Sequence, residues 1–356
     1  MTEAAAPSSS SPTDDLLTPF RTRETLLEVR DLAVHFFTDF GLVKAVDGIN
    51  YTVNAGETVA VVGESGSGKS VGAMAVMGLV APPGRIVRGS IHFKGRDLVK
   101  TSEEQLRRIR GNDITMIFQD PLTSLNPVFN IGNQISEVVR LHEGVGRSQA
   151  KRRAVELLEL VGIPRAKERI GDYPHQFSGG MRQRVMIAMA IAMQPSILIA
   201  DEPTTALDVT VQAQILGLLT SLQSEFQMGL ILITHDLGMV AEHADRVAVM
   251  YAGKIAEYTD VDDVYYEPLH PYAMGLMSSI ARLDRDRTNR LNPIPGQPPS
   301  LIFVPPGCPF HPRCPYARKI CSEEYPRLLP RTGDPRHLAA CHFAGDLPEP
   351  TRREPL

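Results

Sequence analysis

Short runs of apolar and β-branched residues alternate with longer helical patterns from residue 26 onward. Early strands are predicted at residues 26–37, 48–53 and 57–63, with the sequences LLEVRDLAVHFF, GINYTV and ETVAVVG. Strands that alternate with helices are typical of an α/β domain whose sheet is mostly parallel. We therefore expect an α/β fold over this part of the chain.

Two serines mark where helices are expected to begin. Ser102 precedes Gln105 by three residues, which has the form of a capping box that opens a helix over residues 102–110. Ser148 similarly predicts the cap of a helix over residues 149–161. Both predicted helices follow the third strand.

The alternation continues in the second half of the domain. A helix is predicted between Asp208 and Gln227, a buried strand at residues 230–234 and a hairpin at residues 246–259. The helix is expected to be amphipathic because its apolar residues recur at helical spacing. These residues are Ile215, Leu219, Leu222 and Phe226.

The two ends of the chain lack this regular pattern. The first 15 residues are small and polar, with no basic start followed by an apolar block, so we expect a disordered tail and no secretory signal. Beyond Tyr265 the chain becomes rich in proline, which predicts a small separate module or an elaborated tail. Because no secretory signal is expected, the cysteine thiols are expected to face a reducing cytosol.

Composition narrows the class of protein. The chain has 356 residues, of which 43% are apolar and 22% are charged, as in ordinary globular proteins. Its formal charge of -4 offers no general attraction to nucleic acid, and we expect no nucleic-acid partner. The longest nearly apolar stretch, from Val71 to Ala81, is well short of the roughly 18 to 20 residues that cross a bilayer.

A glycine-rich segment follows the third predicted strand. Residues 63–70, with the sequence GESGSGKS, match G-x-x-x-x-G-K-[ST] and are called the phosphate loop below. Glycines let several backbone N–H groups face one phosphate, and the lysine adds a positive charge. A glycine-rich turn without a ligand is the alternative. The candidate nucleotide-binding residues are Gly63, Ser65, Gly66, Gly68, Lys69 and Ser70, and Ser70 would also give an oxygen to Mg²⁺.

Two adjacent carboxylates follow a second buried-strand pattern at residues 197–200. Carboxylates at the end of a buried strand are costly unless they meet a cation or a reacting water. Asp201 suits Mg²⁺, and Glu202 suits a general base that orients the attacking water. A solvated acidic turn is the alternative for this pair taken alone.

Further motifs carry a family resemblance. Residues 177–184, FSGGMRQR, resemble the signature motif of ATP-binding cassette (ABC) ATPases, with Met181 where many members have Gln. Gln119 in MIFQDP resembles the Q-loop, residues 206–208 (ALD) the D-loop, and His235 in LITHD the switch histidine. The order of these motifs is the usual order of the family. The resemblance implies an ABC-type P-loop ATPase with a helical subdomain.

The resemblance also implies roles for individual residues. In the family, ATP is sandwiched between the phosphate loop of one subunit and the signature motif of another, which implies a dimer. The implied catalytic residues are Glu202, His235 and Gln119, and the implied Mg²⁺ ligands are Ser70, Gln119 and Asp201. The implied signature contacts to ATP are Ser178, Gly179 and Gly180.

The adenine base is stacked in the family on an aromatic residue just after the first strand. Phe36, Phe37 and Phe40 compete for this role, and any of them could instead pack in the core or at a sheet edge. Phe36 matches best when counted from the preceding strand. We take Phe36 as the candidate adenine contact.

All four cysteines of the chain lie between residues 308 and 341, which indicates a shared task. Four thiolates could hold Zn²⁺ or an iron–sulfur cluster, although their spacing lacks the short interval typical of structural zinc and misses the common ferredoxin patterns. Nearby histidines keep a mixed zinc site open, and unmetallated buried thiols are a further alternative. The residues concerned are Cys308, Cys314, Cys321 and Cys341, with His311, His337 and His342.

A narrower resemblance concerns the proline-rich end. Residues 267–280, 293–301 and 307–317 are similar to the C-terminal extension of oligopeptide and dipeptide importer ATPases. Residues 201–216 resemble the D-type subunit, whose partner, the F-type subunit, is a homologous ATPase. Members of the family with four such cysteines are associated with a [4Fe–4S] cluster, which the resemblance therefore implies for the four cysteines here.

The implied function is the hydrolysis of ATP to drive peptide uptake. Such an ATPase docks on two transmembrane permease subunits at the cytoplasmic face of the membrane, and an external binding protein supplies the peptide. Related glutathione or nickel importers share the ATPase pattern. A soluble ABC ATPase of DNA repair or translation, and a regulatory protein with an inactive site, are the rivals from other classes.

The implied domain organisation has three parts. We predict a disordered tail over residues 1–25, a nucleotide-binding domain over residues 26–265 with its helical subdomain at about 120–185, and a C-terminal extension over residues 266–356. Residues 266–356 are called the extension below.

Overall fold

The computed structural model describes residues 16–120, 124–205, 207–279, 294–331 and 333–347. Its strands form two sheets. In chain order the strands are β1 (Thr25–Thr38), β2 (Gly41–Asn54), β3 (Thr58–Val62), β4 (Gly84–Phe93), β5 (Arg96–Asp97), β6 (Ile114–Ile117), β7 (Ile197–Asp201), β8 (Gly229–Thr234), β9 (Arg246–Tyr251), β10 (Lys254–Asp260), β11 (Leu329–Pro330) and β12 (Leu338–Ala339).

The α-helices lie on both sides of the larger sheet, and short 3-10 turns occur at Thr18–Phe20, Leu98–Lys100, Pro174–Gln176 and His311–Arg313. In chain order the α-helices are α1 (Lys69–Val76), α2 (Glu103–Ile109), α3 (Ile131–Glu143), α4 (Arg147–Leu160), α5 (Ala166–Arg169), α6 (Gly179–Ala190), α7 (Val209–Phe226), α8 (Leu237–His243), α9 (Val261–Tyr266), α10 (Pro271–Ser278) and α11 (Lys319–Glu323).

The larger sheet has eight strands in the order β11-β12-β10-β9-β3-β8-β7-β6. Its central strands β9, β3, β8, β7 and β6 run parallel. The smaller sheet has four antiparallel strands in the order β2-β1-β4-β5. The expected mostly parallel sheet therefore exists, but the first two predicted strands belong to the separate antiparallel sheet.

Alternate residues of the parallel strands face two different layers. Ile197 and Ile199 of β7 pack in the core that contains α1 and the antiparallel sheet. Leu198 and Ala200 pack against the helices α3, α4, α6 and α7 on the other face. Successive side chains of a strand point to opposite faces, and strands buried on both faces read as continuous apolar runs.

Of the two serines predicted to cap helices, one does so in the structure and the other does not. Ser102 is the N-cap of α2, and its hydroxyl accepts a hydrogen bond from the Gln105 N–H at 3.4 Å, which confirms that cap. The predicted Ser148 cap is wrong, because α4 begins at Arg147 and is capped by Gly146. The Ser148 hydroxyl instead accepts a hydrogen bond from Arg152 within the helix.

The segment before β1 is part of the core. Leu17 and Phe20 are fully buried, and the Phe20 ring lies 4.6 Å from the ring of Tyr258 in β10. The prediction of a disordered tail over residues 1–25 is therefore wrong for residues 16–25. Its first fifteen residues lie outside the described residues.

The extension is joined to the larger sheet. Strand β12 pairs with β10 and adds β11 beyond it. The Glu257 side chain of β10 is completely buried, and its carboxylate accepts backbone N–H bonds from Leu269 and His270 and contacts His337 Nε2 at 2.7 Å. Because a buried carboxylate needs such partners, these contacts fix both ends of the extension on the sheet.

None of the helices in the part of the chain that the structure describes combines the length and the hydropathy of a membrane span.

Candidate functional site

The phosphate loop connects the end of β3 to the start of α1. Gly63, Gly66 and Gly68 all have positive φ angles, of 152°, 77° and 102°. A Cβ on Gly63 would lie 2.2 Å from the Met250 carbonyl oxygen, and one on Gly68 would lie 2.1 Å from the Ala45 carbonyl oxygen. Only glycine fits these two positions, and a glycine-rich turn before a helix start is the arrangement that lets backbone N–H groups face one phosphate.

Parallel pairing brings the functional segments to one edge of the sheet. Val62 of β3 pairs with Thr234 of β8, and Asp201 of β7 pairs with Ile233. The carboxyl ends of β3, β7 and β8 therefore coincide. Ligands of open α/β sheets bind at this edge.

Lys69 and Ser70 begin α1 inside this site. Lys69 is buried, and its Nζ donates hydrogen bonds to the Gly63 and Glu64 carbonyl oxygens at 2.8 and 3.1 Å. Burial lowers the pKa of Lys69. The Ser70 hydroxyl donates to Asp201 Oδ1 at 3.0 Å, and burial raises the pKa of Asp201.

The Glu202 carboxylate contacts two other side chains that were predicted to be catalytic. Gln119 Nε2 donates to Glu202 Oε2 at 3.0 Å, and His235 Nδ1 lies 3.4 Å from Glu202 Oε1. Glu202 itself has a φ of 46°, which a non-glycine residue rarely adopts. The three residues predicted to be catalytic are therefore brought together at the end of β7.

The signature segment begins α6. Ser178 is the N-cap, and its hydroxyl accepts a hydrogen bond from the Met181 N–H at 3.4 Å. Ser178 is exposed, whereas a Cβ on Gly180 would lie 2.6 Å from Val211 of α7. The segment thus presents a helix N-terminus at the surface while its second glycine packs closely on α7. Of the predicted D-loop, Ala206 lies outside the described residues, and Asp208 is the N-cap of α7.

The three candidate adenine contacts differ in their surroundings. The Phe36 side chain is half-buried and lies against Gly84 of β4, where a Cβ would be 2.5 Å from its ring. Phe37 is 45% exposed and has the Arg85 guanidinium 4.2 Å from its ring centroid. Phe40 is 86% exposed in the turn between β1 and β2.

The four cysteines are free thiols in the extension, with Cys321 and Cys341 buried and Cys308 and Cys314 half-buried. Burial raises the pKa of Cys308 to about 12 and that of Cys314 to about 11. The charges of the other three cysteines also raise the pKa of Cys308, so the four side chains lie within electrostatic reach of one another.

The sequence motifs miss several side chains that contact the site. The Thr205 hydroxyl donates to Glu202 Oε2 at 3.0 Å, and its place in the DEPTT segment was the available signal. Arg313 and Tyr272 of the extension both contact Glu64 of the phosphate loop. No local pattern marks these two, because they are more than two hundred residues away from Glu64 in sequence.

Two sequence families match the chain. One, described as ABC transporter, matches residues 46–205, and the other, described as oligopeptide/dipeptide transporter, C-terminal region, matches residues 256–321. The first match contains the phosphate loop and Glu202. The second contains three of the four cysteines.

Curated relatives match most of the chain. The oligopeptide transport ATP-binding protein OppD of Bacillus subtilis is 52% identical over 325 residues, which cover 91% of this chain and 90% of the relative. OppD of Salmonella typhimurium is 52% identical over 316 residues, which cover 89% and 93%. The dipeptide transport ATP-binding protein DppD of Bacillus subtilis is 52% identical over 304 residues, which cover 85% and 90%.

Solved structures share the fold. The ATP-binding cassette MJ0796, solved as a dimer bound to ADP and phosphate, has a TM-score of 0.60 and 24% identity, and covers 66% of this chain and 99% of its own. The cbiO1 protein of Clostridium perfringens has a TM-score of 0.59 and 27% identity, and covers 69% and 92%. The resemblance drawn from the motifs and the ABC-cassette fold are confirmed. The chain is an ABC transporter ATPase and belongs to the family of ATP-binding proteins of oligopeptide and dipeptide transporters.

Proposed function

We propose that this chain is the energy-coupling subunit of a peptide importer and hydrolyses ATP at the edge formed by β3, β7 and β8. The observation that carries this proposal is the convergence of Gln119 and His235 on Glu202, beside the hydrogen-bonded pair Ser70 and Asp201. A regulatory protein with an inactive nucleotide site would not require all of these side chains at one place.

Glu202 is proposed as the general base. Its carboxylate orients and polarises the attacking water, while Gln119 and His235 hold its two oxygens in place. Lys69 leaves its two loop carbonyls to contact the β and γ phosphates, which its positive charge stabilises. Catalysis then consists of positioning and of charge stabilisation.

Ser70, Asp201 and Gln119 are the proposed Mg²⁺ ligands. The Ser70 and Asp201 oxygens are 3.0 Å apart, and burial of Asp201 penalises its charge unless a cation lies nearby. Oxygen donors of this kind suit Mg²⁺, which when bound neutralises phosphate charge. The donor set therefore fits the ion.

The partner across the nucleotide is proposed to be a homologous F-type ATPase. Ser178, Gly179 and Gly180 form an exposed helix start, which suits an anion, and they would face the partner's nucleotide. MJ0796 was solved as a dimer bound to ADP and phosphate. A heterodimer agrees with the resemblance of the chain to the D-type subunit.

Two transmembrane permease subunits are the proposed docking partners, with an external peptide-binding protein and a location at the cytoplasmic face of the membrane. Three exposed apolar side chains within ten residues of Gln119 along the chain support this: Phe118, Val128 and Phe129 are 42%, 72% and 53% exposed. Exposed apolar side chains favour burial against another protein where they adjoin. Gln119 would then connect the permease to Glu202.

The four cysteines are proposed to hold a [4Fe–4S] cluster. Burial penalises their thiolates, and the backbone N–H groups of Phe310 and Tyr316 partly offset this at Cys308 and Cys314. Within the described residues, no three His, Cys, Asp or Glu side chains could hold a metal ion as they stand. The support for a shared cluster is the grouping of all four cysteines of the chain in the extension, together with the resemblance to family members that carry four such cysteines.

The ATPase proposal is tested by purifying the chain together with its neighbouring membrane proteins. Glu202→Gln is expected to abolish ATP turnover while nucleotide binding persists, because the amide cannot accept a proton from water. Glu242→Gln, an exposed carboxylate of α8, is the matched control and should hydrolyse ATP normally. Undiminished turnover in Glu202→Gln would remove Glu202 from its proposed role.

The metal proposal has its own measurement. Iron and acid-labile sulfide analysis, together with visible absorption, should find about four of each per chain in protein purified without oxygen. A colourless protein that contains stoichiometric zinc would contradict the cluster.

A further inference from the structure

Residues of the extension hold one residue of the phosphate loop from two sides. Arg313 Nη1 donates to Glu64 Oε2 at 2.6 Å, and Nη2 donates to Glu64 Oε1 at 2.9 Å. The backbone N–H of Glu64 donates to the Tyr272 hydroxyl at 2.8 Å. Both the side chain and the backbone of a loop residue are therefore fixed by segments that follow the nucleotide-binding domain.

The position of Arg313 is itself determined by several contacts. Its side chain is 6% exposed, its Nε donates to the Pro295 carbonyl oxygen at 2.9 Å, and its Nη1 lies 3.3 Å from the Tyr251 hydroxyl. The aromatic rings of Tyr251 and Phe310 lie beside the guanidinium, with centroids 5.8 and 5.9 Å away. A bidentate pair held in this way keeps one geometry.

Arg313 also lies between two of the cysteines. The 3-10 turn His311–Arg313 ends at Cys314, and its first residue donates a backbone hydrogen bond to the Cys308 carbonyl oxygen at 3.0 Å. The Cys308 N–H in turn donates to the Cys321 carbonyl oxygen at 2.8 Å. Backbone hydrogen bonds therefore connect the turn that carries Arg313 to Cys308 and, through Cys308, to Cys321.

The charge of Glu64 gives this contact a consequence for nucleotide binding. The phosphate loop gathers N–H groups around an anion, and a free carboxylate in the same loop would repel that anion. Arg313 neutralises the carboxylate and holds it in place. Beyond this pair, a cavity of about 390 Å³ separates Ser65 and Ser67 from residues 297–301, so that the extension lines the outer side of the loop.

We propose that Arg313 is a positioning residue for the phosphate loop, through which the cysteine-bearing extension sets the ATP affinity of this chain's own nucleotide site. Arg313 acts through Glu64. The inference rests on the proposed binding of ATP by the loop. It adds to that function a connection in which the cysteines influence the nucleotide through Arg313 and Glu64.

The first test measures the dissociation constant of a fluorescent ATP analogue for the purified full-length chain. Arg313→Gln is expected to raise this constant about tenfold, because it frees the Glu64 carboxylate beside the phosphates. In the assembled transporter the same variant should raise KM for ATP and leave kcat nearly unchanged. Arg313→Lys keeps the charge but loses the fork, and should give an intermediate value.

The double variant Glu64→Gln/Arg313→Gln separates charge repulsion from a merely structural role. Removal of the carboxylate should restore most of the lost affinity, whereas a structural role predicts that the double variant binds no better than Arg313→Gln alone. Arg336→Gln is the matched control, since Arg336 is an extension arginine paired with Asp260 of β10. Its dissociation constant should equal that of the unmodified chain.

A second test asks whether the cysteines act through Arg313. Cys314→Ser should weaken binding of the analogue in the unmodified chain but add little in Arg313→Gln, because the connection is already broken. If Cys314→Ser weakens binding by the same factor in the unmodified chain and in Arg313→Gln, the cysteines do not act through Arg313. If Cys314→Ser does not fold, Cys341→Ser is measured in its place, since Cys341 lies outside the turn that carries Arg313.

The outcomes distinguish this inference from the proposed function. If the unmodified chain does not bind the analogue, the proposed function fails. If the unmodified chain binds and Arg313→Gln binds equally well, the proposed function stands and this inference alone is overturned.

Discussion

The phosphate loop and the extension contact each other but are built by opposite means. The loop is shaped by its backbone, because three of its glycines have positive φ angles and two of these leave no room for a Cβ. The extension is held by buried side chains, above all Glu257 on β10 and Arg313 against Glu64. A site built from backbone leaves a short contiguous signature in the sequence, whereas a module held by distant side chains leaves none.

The difference extends to tolerance of change. The loop is expected to fail when a Cβ is added at Gly63 or Gly68, since the clash is with backbone that cannot rotate away. The extension depends instead on a few polar side chains that are buried with their partners, and each loss leaves a buried group unpaired. The following predictions test this contrast, beginning with the largest effect.

Gly63→Ala is expected to have the largest effect. The new Cβ would lie 2.2 Å from the Met250 carbonyl oxygen, so that the loop or β9 must shift. We expect a loss of about 4 kcal/mol in the free energy of unfolding and loss of detectable nucleotide binding. Thermal denaturation and titration with an ATP analogue measure the two effects.

Gly66→Ala is the matched comparison within the same loop. Nothing lies within 4 Å of its added Cβ, and only the φ of 77° is strained. We expect a cost of about 1 kcal/mol. Equal losses for the two variants would show that backbone conformation alone, and not the close approach to Met250, fixes the loop.

The parts of the site that could be predicted from the sequence are those in which neighbours in sequence share a task. Residues 63–70 combine a strand end, glycines and a helix start. Asp201 and Glu202 directly follow a buried strand, and Ser178 both caps α6 and belongs to a motif. Local physics determines the structure at each of these places, so the local pattern was sufficient.

The parts that could not be predicted depend on residues far apart in the chain. In the sequence, Leu17 and Phe20 look like isolated apolar residues in a polar tail. In the structure the Phe20 ring packs against Tyr258 and the Arg246 guanidinium, which are more than two hundred residues away. Only two of the ten residues of strand β4 are buried, so its apolar pattern is weak. Arg313 and Glu64 are separated by 249 positions.

Glu257→Gln is expected to loosen the extension. The carboxylate accepts N–H bonds from Leu269 and His270, and the variant would offer an amide N–H₂ where one of its oxygens accepts. We expect a loss of roughly 3 kcal/mol in local stability, because buried hydrogen bonds to a charge are lost. Hydrogen exchange of the backbone amides in residues 266–279 and 333–347 measures it.

Glu323→Gln is the control for that variant. Glu323 is an exposed residue of α11 that pairs with Lys319 at 3.5 Å, and such surface pairs contribute little. Exchange in the same two segments should remain unchanged. An equally large increase in exchange would mean that the extension is held by overall charge and not by the buried contact.

His270→Asn should remove part of the pH dependence of the extension. Burial lowers the pKa of His270 to about 4 from an ordinary value of 6.5, so protonation favours the unfolded state. The stability that neutral His270 provides is therefore lost as the pH falls from about 6.5 toward 4. Between pH 7 and pH 5 we expect about 2 kcal/mol of this loss.

Asparagine retains the N-cap bond to the Tyr272 N–H that His270 Nδ1 accepts, at 3.0 Å in the structure. The variant should therefore lose less stability than the unmodified chain over the same pH range. Denaturant unfolding of both proteins at pH 7 and pH 5 measures the difference. Identical pH dependence would mean that other groups dominate the acid response.

The smallest effect is expected at the adenine end of the nucleotide site, where a side chain and not the backbone is proposed to bind the ligand. Phe36→Leu keeps an apolar group against Gly84 but removes the ring, and should weaken ATP-analogue binding about tenfold, as expected for the loss of one stacking contact. Phe40→Leu changes an 86% exposed ring and should leave binding unchanged. Weaker binding in Phe40→Leu, with normal binding in Phe36→Leu, would move the adenine contact to the β1–β2 turn. It would also show that the distance along the chain from the preceding strand does not identify the adenine contact, because that contact is made by a side chain and not by the backbone.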